Sequence, residues 1–167
     1  RFVLGLGPGV RRLIESWHNS VYGAPAAHLR EYVELVRLIM QKAHLGESII
    51  HQGKYYNINI QNYKRVLAPV RNTIPIFLAG VGPLMCKTAG EVADGWMGHM
   101  LGSTRWFTER IQPNILKGLQ KSGRNQLDFQ FHPVLACAVD TDPQKARRAL
   151  AGTVAFYASV RTYTEFF

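Results

Sequence analysis

Cysteine is scarce in this chain: Cys86 and Cys137 stand far apart, in no metal-binding or redox spacing. That excludes a disulfide framework and fits two reduced thiols packed in a core, as in a cytoplasmic protein. Long apolar runs are also missing. None approaches the ~20 residues that span a bilayer, and Arg1 leads straight into Phe2–Leu6 without a signal-peptide pattern. Carboxylates are few, 11 against 20 lysines and arginines, for a net charge of +9. The basic residues are scattered, with only the pairs Arg11–Arg12, Lys64–Arg65 and Arg147–Arg148, and no aromatic–basic interleaving accompanies them. A nucleic-acid partner is therefore not expected. There is no His-x-x-x-His, no cysteine pair, no carboxylate cluster and no Gly-x-Ser-x-Gly elbow. Metal chemistry and nucleophilic catalysis thus lack local support, which points to a cofactor as the bearer of any reaction.

What is present is an alternation. Phe2–Leu6 is an apolar run ended by Gly7-Pro8-Gly9, which predicts a buried strand entering a tight loop. Positions 10–23 are mixed. Pro25 then opens a helix of about five turns whose apolar stripe runs from Leu29 to Ala43, with Arg30 and Glu34 paired on its wet side and Gly46 closing it. Tyr56, Ile58 and Ile60 alternate with polar residues, which predicts an extended excursion or hairpin within 52–62. Ile74–Ala79 is a second strand, and Pro83 opens a helix bearing Met85, Ala89, Val92 and Ala93. Trp96–Leu101 is a third strand, followed by a helix capped by Ser103 or Thr104 and kinked by Pro113. Phe129–Val139 is a fourth strand. Asp142-Pro143 starts a last helix with Ala146, Leu150, Val154, Tyr157 and Ala158 on one face.

Four strands, each followed by a helix, require parallel pairing and helical crossovers. The fold class is α/β, either an open doubly wound sheet or half of a TIM barrel. With no initiating Met, and with Tyr163–Phe167 running out just past a helical pattern, both ends read as cut from a longer protein.

Both architectures bind ligands at the C-terminal ends of strands. There the second strand runs into Gly80-Val81-Gly82-Pro83. Gly82 allows close approach to the backbone, and the amides of Leu84 and Met85 lie unpaired at a helix start. The segment is either a tight turn or an anion site. Gly5-x-Gly7-x-Gly9 is not the dinucleotide fingerprint, because the third glycine should fall at Val10. His99 ends the third strand as a ligand contact or a polar rim residue. Trp17-His18 lines a pocket or covers the barrel end. His28, His44 and His51 are expected in solvent and His132 in a structural role. Asp94, at a strand start, is expected to serve a turn or cap.

These residues carry a resemblance. Phe2–Gly9, Trp17-His18, Pro25 with His28-Leu29-Arg30-Glu31-Tyr32, and Gly53-Lys54-Tyr55-Tyr56 resemble the middle of luciferase-like monooxygenases. So do Ile74–Met85, Ala89-Gly90-Glu91-Val92-Ala93-Asp94-Gly95 through His99, and Gly123-Arg124. The resemblance covers nearly the whole chain and is nearest to the oxidoreductases that use the deazaflavin coenzyme F420.

It implies one partial (β/α)8 TIM-barrel domain over residues 1–167, similar to strands four to seven of eight. It implies coenzyme F420, or alternatively FMN, with hydride transfer or monooxygenation of a small organic substrate, in a cytoplasmic protein, and it allows a homodimer. Gly80, Val81, Gly82, Pro83, Leu84 and Met85 would lie on the cofactor's phosphate side, and Leu6, Gly7 and His99 on its ring side. The alternative is a non-catalytic phosphate-ligand binder, or a half barrel that assembles with another chain.

Overall fold

The computed structural model describes residues 2–166; Arg1 and Phe167, the two ends that read as cut, lie outside them. Four short strands, β1 (Leu4–Leu6), β4 (Ile76–Ala79), β5 (Gly95–Met97) and β6 (Gln130–His132), form one sheet in that order, parallel throughout. Between β1 and β4 lie the helices α1 (Arg11–His18) and α2 (Pro25–Lys42) and an antiparallel hairpin of β2 (Ile49–Gln52) and β3 (Asn57–Ile60). Helix α3 (Pro83–Val92) connects β4 to β5. A helical stretch of α4 (Thr104–Trp106), a π turn (Phe107–Ile111) and α5 (Gln112–Lys121) connects β5 to β6, and α6 (Pro143–Ala158) follows.

The location of the core decides between the two architectures. Leu4, Leu6, Ile76, Leu78, Trp96 and Phe131 meet a single helical layer, to which α2 gives Val33, α3 gives Cys86 and Ala89, and α5 gives Ile115 and Leu119. All three crossover helices therefore cover the same face. A doubly wound sheet has helices on both faces and a reversal in strand order. Sequential strands with helices on one side make an arc of a (β/α)8 barrel, whose other face is the barrel interior. Small residues permit that curvature: Gly5 and Gly95 flank Phe77 in register, and a Cβ on Gly95 would lie 2.8 Å from the Phe77 ring.

Helices α3 and α5 touch backbone to backbone. A Cβ on Gly118 would lie 3.0 Å from the Gly90 Cα, and one on Gly90 would lie 2.9 Å from the Leu119 nitrogen. Beside this seam the buried Glu91 carboxylate takes Arg30 from α2 and Lys121 from α5. Burial alone would raise its pKa, but these cations hold it below the usual carboxylate value. Arg30 is thus drawn to α3 rather than to Glu34, the partner expected from helical spacing.

Asp94 ties the strand starts together. Its carboxylate accepts from the Ile76 amide at 2.8 Å and from Arg37 at 2.9 Å, while Arg124 stands at 3.7 Å. Glu31 does the same for the hairpin, accepting from the amides of Lys54, Tyr55 and Tyr56 and facing His51 at 3.2 Å. Burial pushes its pKa up, and these hydrogen bonds outweigh that and bring it below the ordinary value. His28 stacks on Tyr55 with ring centroids 4.8 Å apart. Neither His28 nor His51 is the solvated residue expected from sequence, because the hairpin folds back onto α2.

Other expectations shift as well. Positions 11–18 form α1, which the mixed pattern hides because the helix has no buried residue. Trp17 is exposed. The Pro113 kink appears as the π turn: the Gln112 amide reaches back to the Phe107 carbonyl, and the missing proline N–H is absorbed at the start of α5. The fourth strand stops at His132. Pro133 cannot donate to a ladder, and β6 is the edge of the described sheet, so nothing holds 133–139 extended. Cys137 is consequently exposed, while Cys86 is buried with its thiol pKa pushed up to about 12 by burial.

Candidate functional site

At the C-terminal ends of β1, β4 and β5 the chain forms a hollow of about 380 Å³. Its wall includes Gly7, Gly80, Val81, Gly82, Met85 and His99, all singled out from sequence. The β4–α3 loop explains the recess. Gly80 is glycine because Met85 packs where a side chain would go, 2.7 Å from a built Cβ. At Gly82 a built Cβ meets nothing within 4 Å, so the space beside its backbone is open. The first bond of α3 runs from the Cys86 amide to the Gly82 carbonyl at 3.0 Å, and no side chain caps this end. Pro83 has no N–H, and the amides of Leu84 and Met85 have no acceptor within the helix. The positive end of the α3 dipole therefore lies beside the hollow, a chemistry suited to an anionic oxygen. The side chain of Leu84 is exposed, so its contribution is through the backbone.

The loop is fixed from behind. The Gly80 carbonyl accepts from Trp96 Nε1 at 2.8 Å and from the Cys86 thiol at 3.6 Å. Across the hollow, the Tyr22 hydroxyl donates to the Gly9 carbonyl at 3.2 Å. Leu6 does not share this wall. It packs toward the helical core and lines a smaller recess with Tyr22, His28, Tyr32 and Tyr56.

His99 is the titratable side chain between β5 and the hollow. Its ring stacks on Tyr163 at 4.2 Å and meets the edge of Tyr157 at 4.6 Å. Its Nδ1 accepts from the Leu101 amide at 3.3 Å. Burial lowers its pKa and so favours the neutral ring, and with Nδ1 used as an acceptor the neutral tautomer would carry its proton on Nε2. Tyr163 gave no signal in the sequence, since it follows the last recognisable apolar stripe. Its burial, with Tyr157 and Tyr22 nearby, pushes its phenol pKa up.

A second, apolar hollow of about 430 Å³ adjoins the first and shares Val81, Gly98 and His99 with it. Its wall is mostly aromatic and aliphatic: Trp96, Trp106, Phe107 and Phe131, with Pro133 to Leu135 at the rim. Among the described residues no group of three His, Cys, Asp or Glu could hold a metal ion, and no helix is long and apolar enough to cross a membrane.

Comparison with known proteins bears on this arrangement. The family described as luciferase-like monooxygenase matches residues 1–166. An uncharacterised protein of Mycobacterium tuberculosis is 34% identical over 167 residues, covering 98% of this chain and 49% of that protein. The 5,10-methylenetetrahydromethanopterin reductase of Archaeoglobus fulgidus is 30% identical over 156 residues, covering 93% of this chain and 44% of that enzyme. Among solved structures, the coenzyme F420-dependent tetrahydromethanopterin reductase of Methanopyrus kandleri superposes with a TM-score of 0.76 at 23% identity, over 92% of this chain and 46% of that one. The chain spans about half the length of the curated relatives it matches.

Proposed function

The chain belongs to the luciferase-like monooxygenase family, and from that premise we propose that the intact protein is an F420-dependent oxidoreductase acting on a small organic substrate. The four parallel strands then stand as four to seven of its eight. The observation that carries the reading is the open gap at Gly82 beside the uncapped start of α3, on the same hollow as Gly7 and His99. Two named relatives, the Archaeoglobus and Methanopyrus reductases, support the choice of reaction class, and the second is F420-dependent.

The residues fit a phosphorylated ring cofactor. The amides of Leu84 and Met85 would hold a phosphate oxygen, with Gly80, Val81, Gly82 and Pro83 shaping the approach. Gly7 and His99 would face the ring, and Leu6 would act from behind, through the packing that positions Gly7. Bound there, a deazaflavin supplies hydride transfer, and the protein's part is anchoring, orientation and exclusion of water. His99, its Nδ1 held by the Leu101 amide, lines both hollows. Tyr163 and Tyr157 shield it from solvent.

Titration of F420 and of FMN into the intact protein, followed by ring absorbance, tests this. Saturable F420 binding that Gly82→Val weakens at least tenfold is expected. Equal affinity in wild type and variant would remove the phosphate assignment. Binding of FMN alone would transfer the reading to flavin-dependent monooxygenation.

A further inference from the structure

The apolar hollow beside His99 has no part in holding a phosphate, yet it opens on the same residues. We propose that it is the substrate subsite and that it takes an uncharged, apolar compound, an aromatic or alicyclic ring bearing at most a neutral oxygen function. The inference rests on the cofactor reading and adds the substrate class to it.

Size, wall and position all support it. About 430 Å³ is enough for one small organic molecule. Trp96, Trp106, Phe107 and Phe131 offer flat apolar surface at low entropic cost, and Phe107 is itself held in place, 5.7 Å from Trp96 and 5.5 Å from Phe131.

The charge distribution of the described wall favours this class over a charged one. The chain carries 20 lysines and arginines, yet among the described residues none lines this hollow, and neither does any carboxylate. Arg105, next to the lining residue Thr104, is turned outward to Glu109 at 3.1 Å. An anionic or cationic substrate would enter without a counter-charge, at a large desolvation cost. The polar atoms at hand are neutral, those of His99, Ser103 and Thr104, and the Ser103 oxygen already accepts the Trp106 amide at 3.1 Å. Because Val81, Gly98 and His99 belong to both hollows, only these residues stand between a molecule here and whatever occupies the first.

The test uses the intact protein and two probes, 2-tetralone (a neutral bicyclic ketone) and glucose 6-phosphate. Trp96 and Trp106 line the hollow, so the share of tryptophan quenching that Trp106→Phe removes reports occupancy. Expected are saturable quenching by 2-tetralone, no response to glucose 6-phosphate, and at least a tenfold loss of tetralone affinity in Leu135→Asp. Leu135 is an exposed rim residue, so the fold should tolerate the change, and Leu135→Met should retain binding. F420 affinity, read separately by absorbance, should stay within twofold in both variants. Response to glucose 6-phosphate instead of tetralone, absence of tetralone binding, or indifference to Leu135→Asp would overturn the proposal. Tetralone binding that Leu135→Asp removes, in a protein that does not bind F420, would uphold the hollow's ligand class and sink only the cofactor reading.

Discussion

The two ends of the sheet are built on opposite rules. At the N-terminal ends of the strands polar groups are paired and backbones touch. Asp94 joins β4, α2 and the segment after α5, Glu91 joins three helices, and Gly90 meets Gly118 without intervening side chains. At the C-terminal ends the same chain leaves amides without acceptors at the start of α3, one glycine, Gly82, facing open space, and two adjoining hollows. The contrast teaches that glycine has two unrelated uses here. At positions 90 and 118 it lets protein approach protein, and at position 82 it leaves room for something else.

Substitutions should separate the two uses. The largest effect is expected for Gly90→Val, which puts side-chain atoms into the α5 backbone. Overpacking of this kind costs about 3 kcal/mol or more, measurable by urea denaturation, and an unchanged midpoint would mean that the helix seam is not tight. Asp94→Ala should cost about 2 kcal/mol, because a buried strand amide and a guanidinium lose a charged acceptor. F420 affinity in that variant should be unchanged in the folded fraction.

Acid should act through Glu31. Its folded pKa lies below the ordinary 4.5, so its contribution is fully present above that value and is lost as pH falls through the folded pKa. The stability gap between wild type and Glu31→Gln should therefore narrow below pH 4.5; a gap independent of pH would show that the carboxylate's charge does not hold the hairpin. The smallest stability effect belongs to Gly82→Val, less than about 1 kcal/mol, the preference for Gly over Val at a helix N-cap. The same variant should show the large loss of cofactor binding. Should it unfold the protein instead, the distinction between the two ends fails.

Periodicity and punctuation carried most of the fold. The Pro25, Pro83 and Asp142-Pro143 starts and the 3.6-residue stripes are local signals, and α2, α3 and α6 follow them, with Ala146, Leu150, Val154 and Tyr157 forming the half-buried side of α6. Periodicity alone left an open sheet and a barrel both possible, because the choice depends on which face the crossovers cover, a property of tertiary packing; the family resemblance named the barrel, and the fold agrees. Helix α1 escaped notice because it buries no residue, and the fourth strand was overdrawn because apolar content alone does not supply a pairing partner. In the site, the Gly80–Met85 loop announced itself through a strand, two glycines and a helix-opening proline. Tyr163 and the aromatic hollow did not, since their members come from segments far apart in sequence.

The π turn ahead of Pro113 has a consequence for the apolar hollow. One surplus residue within a helical turn sets the preceding residues about 100° out of phase with the turns C-terminal to it. Trp106 and Phe107 thereby line the hollow and pack against the edge of the core, Ile111 belongs to both, and Ile115 and Leu119 keep their places inside the core. A single deletion between 107 and 111 would realign the helix and swing the indole away. The shape of that cavity is in this sense a matter of helical phase, adjustable by one codon without disturbing the scaffold beneath it.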